Sequence, residues 1–309
     1  MNIRQLILSP YELPLPKGAP RSGALLEVID SFGSKSCSDL APLPGWSQET
    51  LEQAIQQMKQ TQKKILEIDW KETTCLEEIR RLALFPSASF ALESALLSLL
   101  SPLPSFSPSI SAFFMGSLEE IFSQAKESLK KGRTSAKLKV SQLSFSEARK
   151  AILELKDLFS LRIDVNRAWT KEESLRFFGE FPLDTFDYVE EPFQNPLDLA
   201  DFPHPLAIDE SFPQVFSLKD LEKLPTLKAL VYKPTLQGGM AYCKDAHLWC
   251  KERNISFVLS SSFESDVGLF HIASMAHRLK ITSPLGIGTY TIFLGSTISS
   301  KRLAERKPS

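Results

Sequence analysis

Five short apolar runs in this chain end in residues suited to metal-assisted proton abstraction. They are Lys139 in KLK, Asp164 in LRIDVN, Glu190 in DYVEEP, Asp209 in LAIDES and Lys233 in LVYKPT. Hard cations such as magnesium prefer oxygen ligands and keep positions open for water or substrate. Asp164, Glu190 and Asp209 are therefore candidate ligands of a magnesium ion, with manganese as the alternative. A lone acidic residue at a strand end is more often a helix cap or a surface charge. Three in series, each after an apolar run, point to a joint role. Side chains two apart on a strand share a face. Asn166 thus falls beside Asp164 and is placed to hydrogen-bond a metal ligand from behind. Arg162 falls on the same face, placed to bind a substrate carboxylate or to pair with a ligand. Glu190 and Glu191 point to opposite faces, so at most one faces a barrel interior, and Glu190 is the candidate. Glu210, beside Asp209, is expected to form a salt bridge or hydrogen bond near the site.

Lys137 and Lys139 also share a face, and Lys233 follows the acidic set in sequence. Two ammonium groups on one face are unfavourable without nearby carboxylates or a substrate anion. Their mutual repulsion and a cation are expected to lower the lysine pKa values. A lysine so perturbed can serve as a general base near neutral pH. A proton alpha to a carboxylate is very weakly acidic, and its removal leaves charge that a Lewis acid can stabilise. Lysine bases combined with magnesium do this in enolase-type sites.

The elements that must position these residues follow from spacing. Markers 139, 164, 190, 209 and 233 lie 25, 26, 19 and 24 positions apart. One strand–helix unit needs about that length, because a parallel crossover is usually a helix. Helical periodicity between the strand runs, as in SFSEARKAILELKDLF, supports this. Special residues gathered at strand ends favour a closed barrel, whose chemistry sits at the C-terminal strand ends. An open doubly wound sheet is the alternative, and no Gly-x-Gly-x-x-Gly run favours it.

The first hundred residues read differently. Strands are expected at 5–8 and 24–29, a helix over 47–68 capped by Ser47 with Thr50, and a second helix over 87–100. The stretch 101–111 holds three prolines and five serines and reads as a connection. The expected organisation is an α+β capping domain over 1–105, a barrel over 106–295 and a tail over 296–309.

Composition excludes several classes. With 43% hydrophobic residues the chain can bury a sizeable core, and a net charge of −1 gives no reason to expect nucleic acid or an anionic membrane as partner. The four cysteines form no C-x-x-C pair, which argues against a zinc site and a disulfide framework. No run approaches the ~20 apolar residues of a membrane span. The protein is expected to be soluble and cytoplasmic, with a small carboxylate substrate; its oligomeric state is left open.

The ordered set KLK, LRIDVNRAW, VEEP, IDES, YKPT and SSSFES resembles the enolase superfamily, in its muconate-lactonizing branch. The phrases APLPGWSQET, LRIDVNRAW and VLSSSFES are similar to the o-succinylbenzoate synthase family in particular. The resemblance covers nearly the whole chain. It implies an α/β modified TIM barrel, (β/α)7β, with an N-terminal α+β cap. It implies Asp164, Glu190 and Asp209 as magnesium ligands and Lys139 as general base and acid. Lys233 is implied as the opposite lysine, acting mainly by charge, and Lys137 as a source of positive potential. Ser261, Ser262 and Glu264 fall in the segment that lines the substrate pocket in this family; a polar strand-to-helix turn is their alternative role. The implied reaction is dehydration of a succinyl hydroxycyclohexadiene carboxylate in menaquinone biosynthesis. An N-acylamino acid racemase or dipeptide epimerase is the enzymatic rival, and a non-catalytic barrel used for binding is the alternative of another class. Two segments depart from the family pattern, SKSCSD at 34–39 and GIGTY at 286–290. Both are expected to approach the pocket.

Overall fold

The computed structural model describes residues 1–15 and 20–289, so the expected tail lies outside the described residues. An antiparallel sheet comes first, in the order β1 (Ile3–Leu13), β2 (Arg21–Asp30), β3 (Lys35–Leu40). The expected strands at 5–8 and 24–29 lie inside β1 and β2. β3 comes from the polar SKSCSD segment, which pairs with β2 from Ala24↔Leu40 to Ile29↔Lys35. Three helices follow, α1 (Leu51–Glu67), α2 (Cys75–Arg81) and α3 (Pro86–Leu100). Thr50 alone caps α1, in a reciprocal capping box with Gln53, while Ser47 accepts the Leu43 amide in the preceding turn. Helix α3 begins on Pro86, whose missing amide is no loss there. It is buried nearly all round, because it packs against the sheet and against the barrel.

The barrel then runs β4 (Ala112–Phe114), α4 (Leu118–Lys130), β5 (Ser135–Lys139), α5 (Phe145–Leu155), β6 (Ser160–Asp164), α6 (Lys171–Phe178) and β7 (Tyr188–Glu190). It continues with β8 (Leu206–Ile208), α7 (Leu218–Leu221), β9 (Leu227–Tyr232), α8 (Pro234–Gln237), α9 (Met240–Glu252), β10 (Ser256–Leu259) and α10 (Asp266–Leu279). The seven strands β4 to β10 are hydrogen-bonded in chain order, and every pair in the sheet is parallel. Parallel bridges Ile110↔Leu285 and Ser260↔Gly286 tie the segment at 285–286 to both edges of this sheet. That segment acts as the eighth strand and closes the ring. The shortest marker spacing, between Glu190 and Asp209, has a structural reason: a 3-10 turn over Pro196–Asp201 replaces the crossover helix.

The barrel and the cap each have their own apolar cluster. A third small cluster, Tyr188, Ala207, Ala229, Val231 and Val258, fills the barrel axis. Among the described residues no helix is long and apolar enough to cross a membrane.

Buried polar groups join cap to barrel. Glu93 of α3 accepts the Met240 and Ala241 amides at the start of α9, at 2.6 and 2.8 Å. Gly239 passes so close that a Cβ there would stand 2.3 Å from a Glu93 oxygen. On α10, His271 Nε2 lies 2.8 Å from the Cys37 carbonyl of β3, so it carries the proton. Burial pushes the Glu93 carboxyl up to about 7, against the pull of the two amides and Arg278. Burial also pushes His271 down to about 4, opposed by its bond to Cys37.

These two groups give opposite pH slopes. Neutral His271 stabilises the fold fully above its unfolded pKa, and that contribution is lost as pH falls towards 4. Protonated Glu93 stabilises below the carboxylate range, and that contribution is lost as pH rises towards 7. Each amounts to about 3 kcal/mol at roughly 1.4 kcal/mol per pH unit. In thermal melts compared with wild type, Glu93→Gln is expected to remove a fall in stability between about pH 4.5 and 7. His271→Asn is expected to remove a rise between about pH 4 and 6.5. Parallel profiles for the two variants would refute this assignment.

Candidate active site

Strand register builds the site. Lys139 pairs with Asp164 and Asp164 with Glu190, so the last residues of β5, β6 and β7 stand in one row. Glu190 pairs with Ala207, so Asp209 lies two residues beyond that row, on the same face. Lys233 follows directly on β9. The cavity at this end of the barrel is lined by Lys137, Lys139, Asp164, Asn166, Asp209 and Lys233. Its far wall includes Ser261, Phe263, Gly286, Gly288 and Thr289.

Lys137 Nζ lies 2.8 Å from Asp164 Oδ2 and 2.6 Å from Glu190 Oε1, bridging the two acids. Lys233 is ion-paired with Asp209. Lys139 is half-buried on the cavity wall and has neither an ion pair nor a hydrogen bond among the described residues. Burial opposes charge on Lys137, but Asp164, Glu190 and Asp209 outweigh it and hold Lys137 well above the usual lysine range. Lys233 is likewise raised, with Asp209 overcoming burial. For these two the neighbouring carboxylates dominate over like-charge repulsion; the expected lowering counted on a bound cation as well. Burial, reinforced by Asp164, raises Glu190 far above the carboxylate range. Asp209 is lowered, because Lys233 and Lys137 overcome its burial.

Several placements differ from the expectation. Arg162 points below the cavity, not into it. Its Nε donates to Asp187 at 2.8 Å, its Nη1 to the Pro284 carbonyl at 2.8 Å, and it covers the Tyr188 ring. Asn166 has φ +50 and has left the strand period. Its backbone amide, not its side chain, donates to Asp164 Oδ1 at 3.1 Å. Of Ser261, Ser262 and Glu264, only Ser261 lines the cavity. Ser261 shares a 2.6 Å hydroxyl contact with Thr289, whereas buried Glu264 accepts the Ser262 amide at 2.6 Å behind the wall. The 34–39 segment forms β3 at the cap–barrel seam and contributes nothing to the cavity lining. Residues 286, 288 and 289 do line it, as expected; Tyr290 lies outside the described residues.

Glu191 has a role that strand alternation misses. With φ +45, it turns away from the barrel axis and is fully buried. It accepts the Asp209 and Ser211 amides at 3.0 and 2.9 Å, the Ser211 hydroxyl at 2.6 Å and Arg167 Nε at 3.2 Å. This clamp fixes the turn that carries Asp209. The only sequence signal was the doubled acid before Pro192.

The donor set suits a divalent cation. One oxygen each from Glu190, Asp209 and Glu210 lie within 4.8 Å of one another, all buried. Glu210 is pushed up to about 7 by burial and by Asp209 and Glu191. Glu210 Oε2 and Asn166 Oδ1 are buried acceptors without a donor among the described residues. Crowded carboxylates with unused oxygens are what a hard cation binds. Asp164 stands outside the tightest oxygen triad and joins it through the Lys137 bridge.

Residues 120–291 match the family model described as enolase C-terminal domain-like, and residues 12–99 match the MenC N-terminal domain. The chain is 29% identical to an o-succinylbenzoate synthase of Vibrio cholerae, over 94% of this chain and 91% of that one. It is 30% identical to one of Haemophilus influenzae, over 87% and 82%. The fold is similar to MenC from Desulfotalea psychrophila, with a TM-score of 0.77 and 19% identity over 100% and 97% of the two chains. It is equally similar to a dipeptide epimerase of Enterococcus faecalis complexed with Mg and a dipeptide, with a TM-score of 0.78 and 18% identity over 94% and 91%.

The Glu191 clamp can be tested apart from turnover. Glu191→Ala orphans two buried amides and is expected to weaken manganese binding by about 10- to 100-fold, the range for groups that orient metal ligands. Titration calorimetry measures this, and an affinity within twofold of wild type would remove the clamp from the site.

Proposed function

The chain belongs to the o-succinylbenzoate synthase family of the enolase superfamily, and from that premise we infer how its residues divide the work. The enzyme is a hydro-lyase of menaquinone biosynthesis. It dehydrates 2-succinyl-6-hydroxy-2,4-cyclohexadiene-1-carboxylate to 2-succinylbenzoate. The proton leaves C1, hydroxide leaves C6 and departs as water, and the new C1–C6 double bond makes the ring aromatic. Aromaticity supplies the thermodynamic drive.

The observation that carries the assignment of roles is the amine of Lys139, unpaired among the described residues, on a cavity wall where Lys137 and Lys233 are both held by carboxylates. A general base must have a free lone pair within reach of the proton. Lys139 takes the C1 proton, and its ammonium then protonates the departing hydroxyl. Lys233, fixed on Asp209, keeps its charge and faces the ring from the other side. Lys137 holds Asp164 and Glu190 together. The superfamily's divalent-cation site falls among the buried acids. Asp164, Glu190 and Asp209 are proposed to hold magnesium, or manganese, with Glu210 beside them. When bound, the cation supplies positive charge next to the carboxylate whose alpha proton is removed.

The epimerase reading requires two alternating bases. The fold does not discriminate, since the epimerase is as similar as MenC. The pairing of Lys233 but not Lys139 supports a single base. In a binding-only barrel the same amine would hold a ligand carboxylate, and turnover separates the two readings.

Aromatic product is expected to form from the hydroxycyclohexadiene carboxylate in saturating magnesium and to cease with EDTA; no turnover in magnesium would sink the reading. Lys139→Ala is expected to lower kcat by about 10²- to 10⁴-fold, with cation affinity unchanged. If N-acylamino acids exchange their alpha proton with deuterated solvent at a comparable rate, the epimerase reading takes precedence. For the ligand set, Asp164→Asn should weaken manganese binding more than Glu210→Gln; the reverse order would move Glu210 into the set and Asp164 out.

A further inference from the structure

Arg21, the first residue of β2, is 3% exposed and lies outside the cavity lining. Every hydrogen bond it makes goes to a backbone carbonyl. Nε donates to Phe263 at 3.2 Å, and Nη1 to Ser22 and Pro42 at 2.7 and 2.8 Å. Nη2 donates to Ala41, and more distantly to Ser262 at 3.5 Å. One buried cation therefore joins three stretches: its own strand, the loop after β3, and the turn that follows β10. The first two belong to the cap and the third to the barrel. Arginine alone offers five N–H donors in a rigid fork.

The turn it grips is unusual. Phe263 lines the cavity and has φ +60, a left-handed conformation uncommon for a bulky side chain. Such a residue persists only where its surroundings over-determine it. The same turn is held a second time from the cap. Asp39 of β3 accepts the Ser265 amide and hydroxyl at 2.8 and 2.7 Å and is itself bonded by the Tyr11 hydroxyl at 2.8 Å.

We propose that Arg21 is a positioning residue for the substrate, holding Phe263 in its left-handed conformation so that docking of the cap sets the shape of the pocket wall. Arg21 touches neither the lysines nor the carboxylates. Its effect is on the substrate's fit, in ground and transition state alike, and falls on KM more than on kcat. The kinetic part of this inference rests on the dehydration reading.

Arg21→Lys in the full chain keeps the charge but has only three donors. It is expected to raise KM for the hydroxycyclohexadiene carboxylate about tenfold and to change kcat less than about threefold. Amide exchange over residues 259–265 should accelerate while β6 and β7 keep their protection. Phe263→Ala should raise KM comparably, and the double variant should be no worse than the poorer single, as for two groups in one chain of contacts. A folded Arg21→Lys protein with wild-type KM would overturn the proposal, as would multiplied effects in the double variant. A role confined to folding would lower the active fraction and leave KM unchanged, which also overturns it. If the Lys variant does not fold, Phe263→Ala decides, because an unchanged KM there removes the wall from substrate fit. If wild type proves inactive on this substrate, the dehydration reading fails. Amide exchange in Arg21→Lys then still judges the positioning claim.

Discussion

The mouth of the barrel must hold Asp164, Glu190, Asp209 and Glu210 together out of bulk water, and much of the rest follows from that repulsion. Two like charges at 4 Å in a protein environment repel by about 4 kcal/mol. Balance comes from Lys137 between Asp164 and Glu190 and from Lys233 on Asp209. What balance remains is met by keeping Glu190 and Glu210 protonated more readily than free carboxyls. A divalent cation relieves the same strain more fully, which is how a site can be stable before binding and still bind. The cluster also needs a rigid frame, supplied by parallel strand register on one side and by the Glu191 clamp on the other.

The cap is attached by a similar principle. Its seam with the barrel contains Glu93, His271, Asp39 and Arg21, all buried. Burial of such groups is unfavourable unless each finds a partner. Here the partners are mainly backbone amides and carbonyls at element ends, so the cap docks in one orientation. An apolar seam of equal area would tolerate sliding; carbonyls aimed at one guanidinium do not. That fixity matters because the turn at 262–265 belongs to both the seam and the pocket wall.

The gathering of Lys139, Asp164, Glu190, Asp209 and Lys233 at one end of the barrel was legible in the sequence because the barrel places them by rule. A strand end after an apolar run points its last side chain into the mouth, and spacing near 25 residues counts the units. The same rule shows where reading fails. Asn166 has a positive φ, so alternation no longer says where it points; Glu191 does face away from the axis, as alternation has it, but the turn it clamps left no trace in the spacing. Arg162 does obey alternation, but one layer deeper, where Asp187 and Tyr188 take it. β4 has three residues and the closing segment only isolated bridges, too little for periodicity. β3 is polar in sequence and becomes a strand through pairing with β2 and packing under α3 and α10. Gly286 and Gly288 line the pocket with no side chain to suggest it, and only the family resemblance pointed there. The direction of the lysine shifts depended on which carboxylates stand within contact distance, and spacing along the chain does not carry that information.

The asymmetry between the two lysines links this electrostatics to the reaction. For a racemisation, both faces need a base of comparable strength, since each must accept a proton in one direction. Asp209 is ion-paired with Lys233 and favours its ammonium form, which supports the single-base reading proposed above. For a dehydration, only one face moves a proton, and the other is served best by a charge that stays. Lys137 relieves Lys139 of any structural duty by taking the bridge between Asp164 and Glu190 on itself. In the proposed mechanism the two lysines of β5 divide the labour: the first neutralises the acids, and the second, two residues on along the same face and unpaired among the described residues, exchanges the proton.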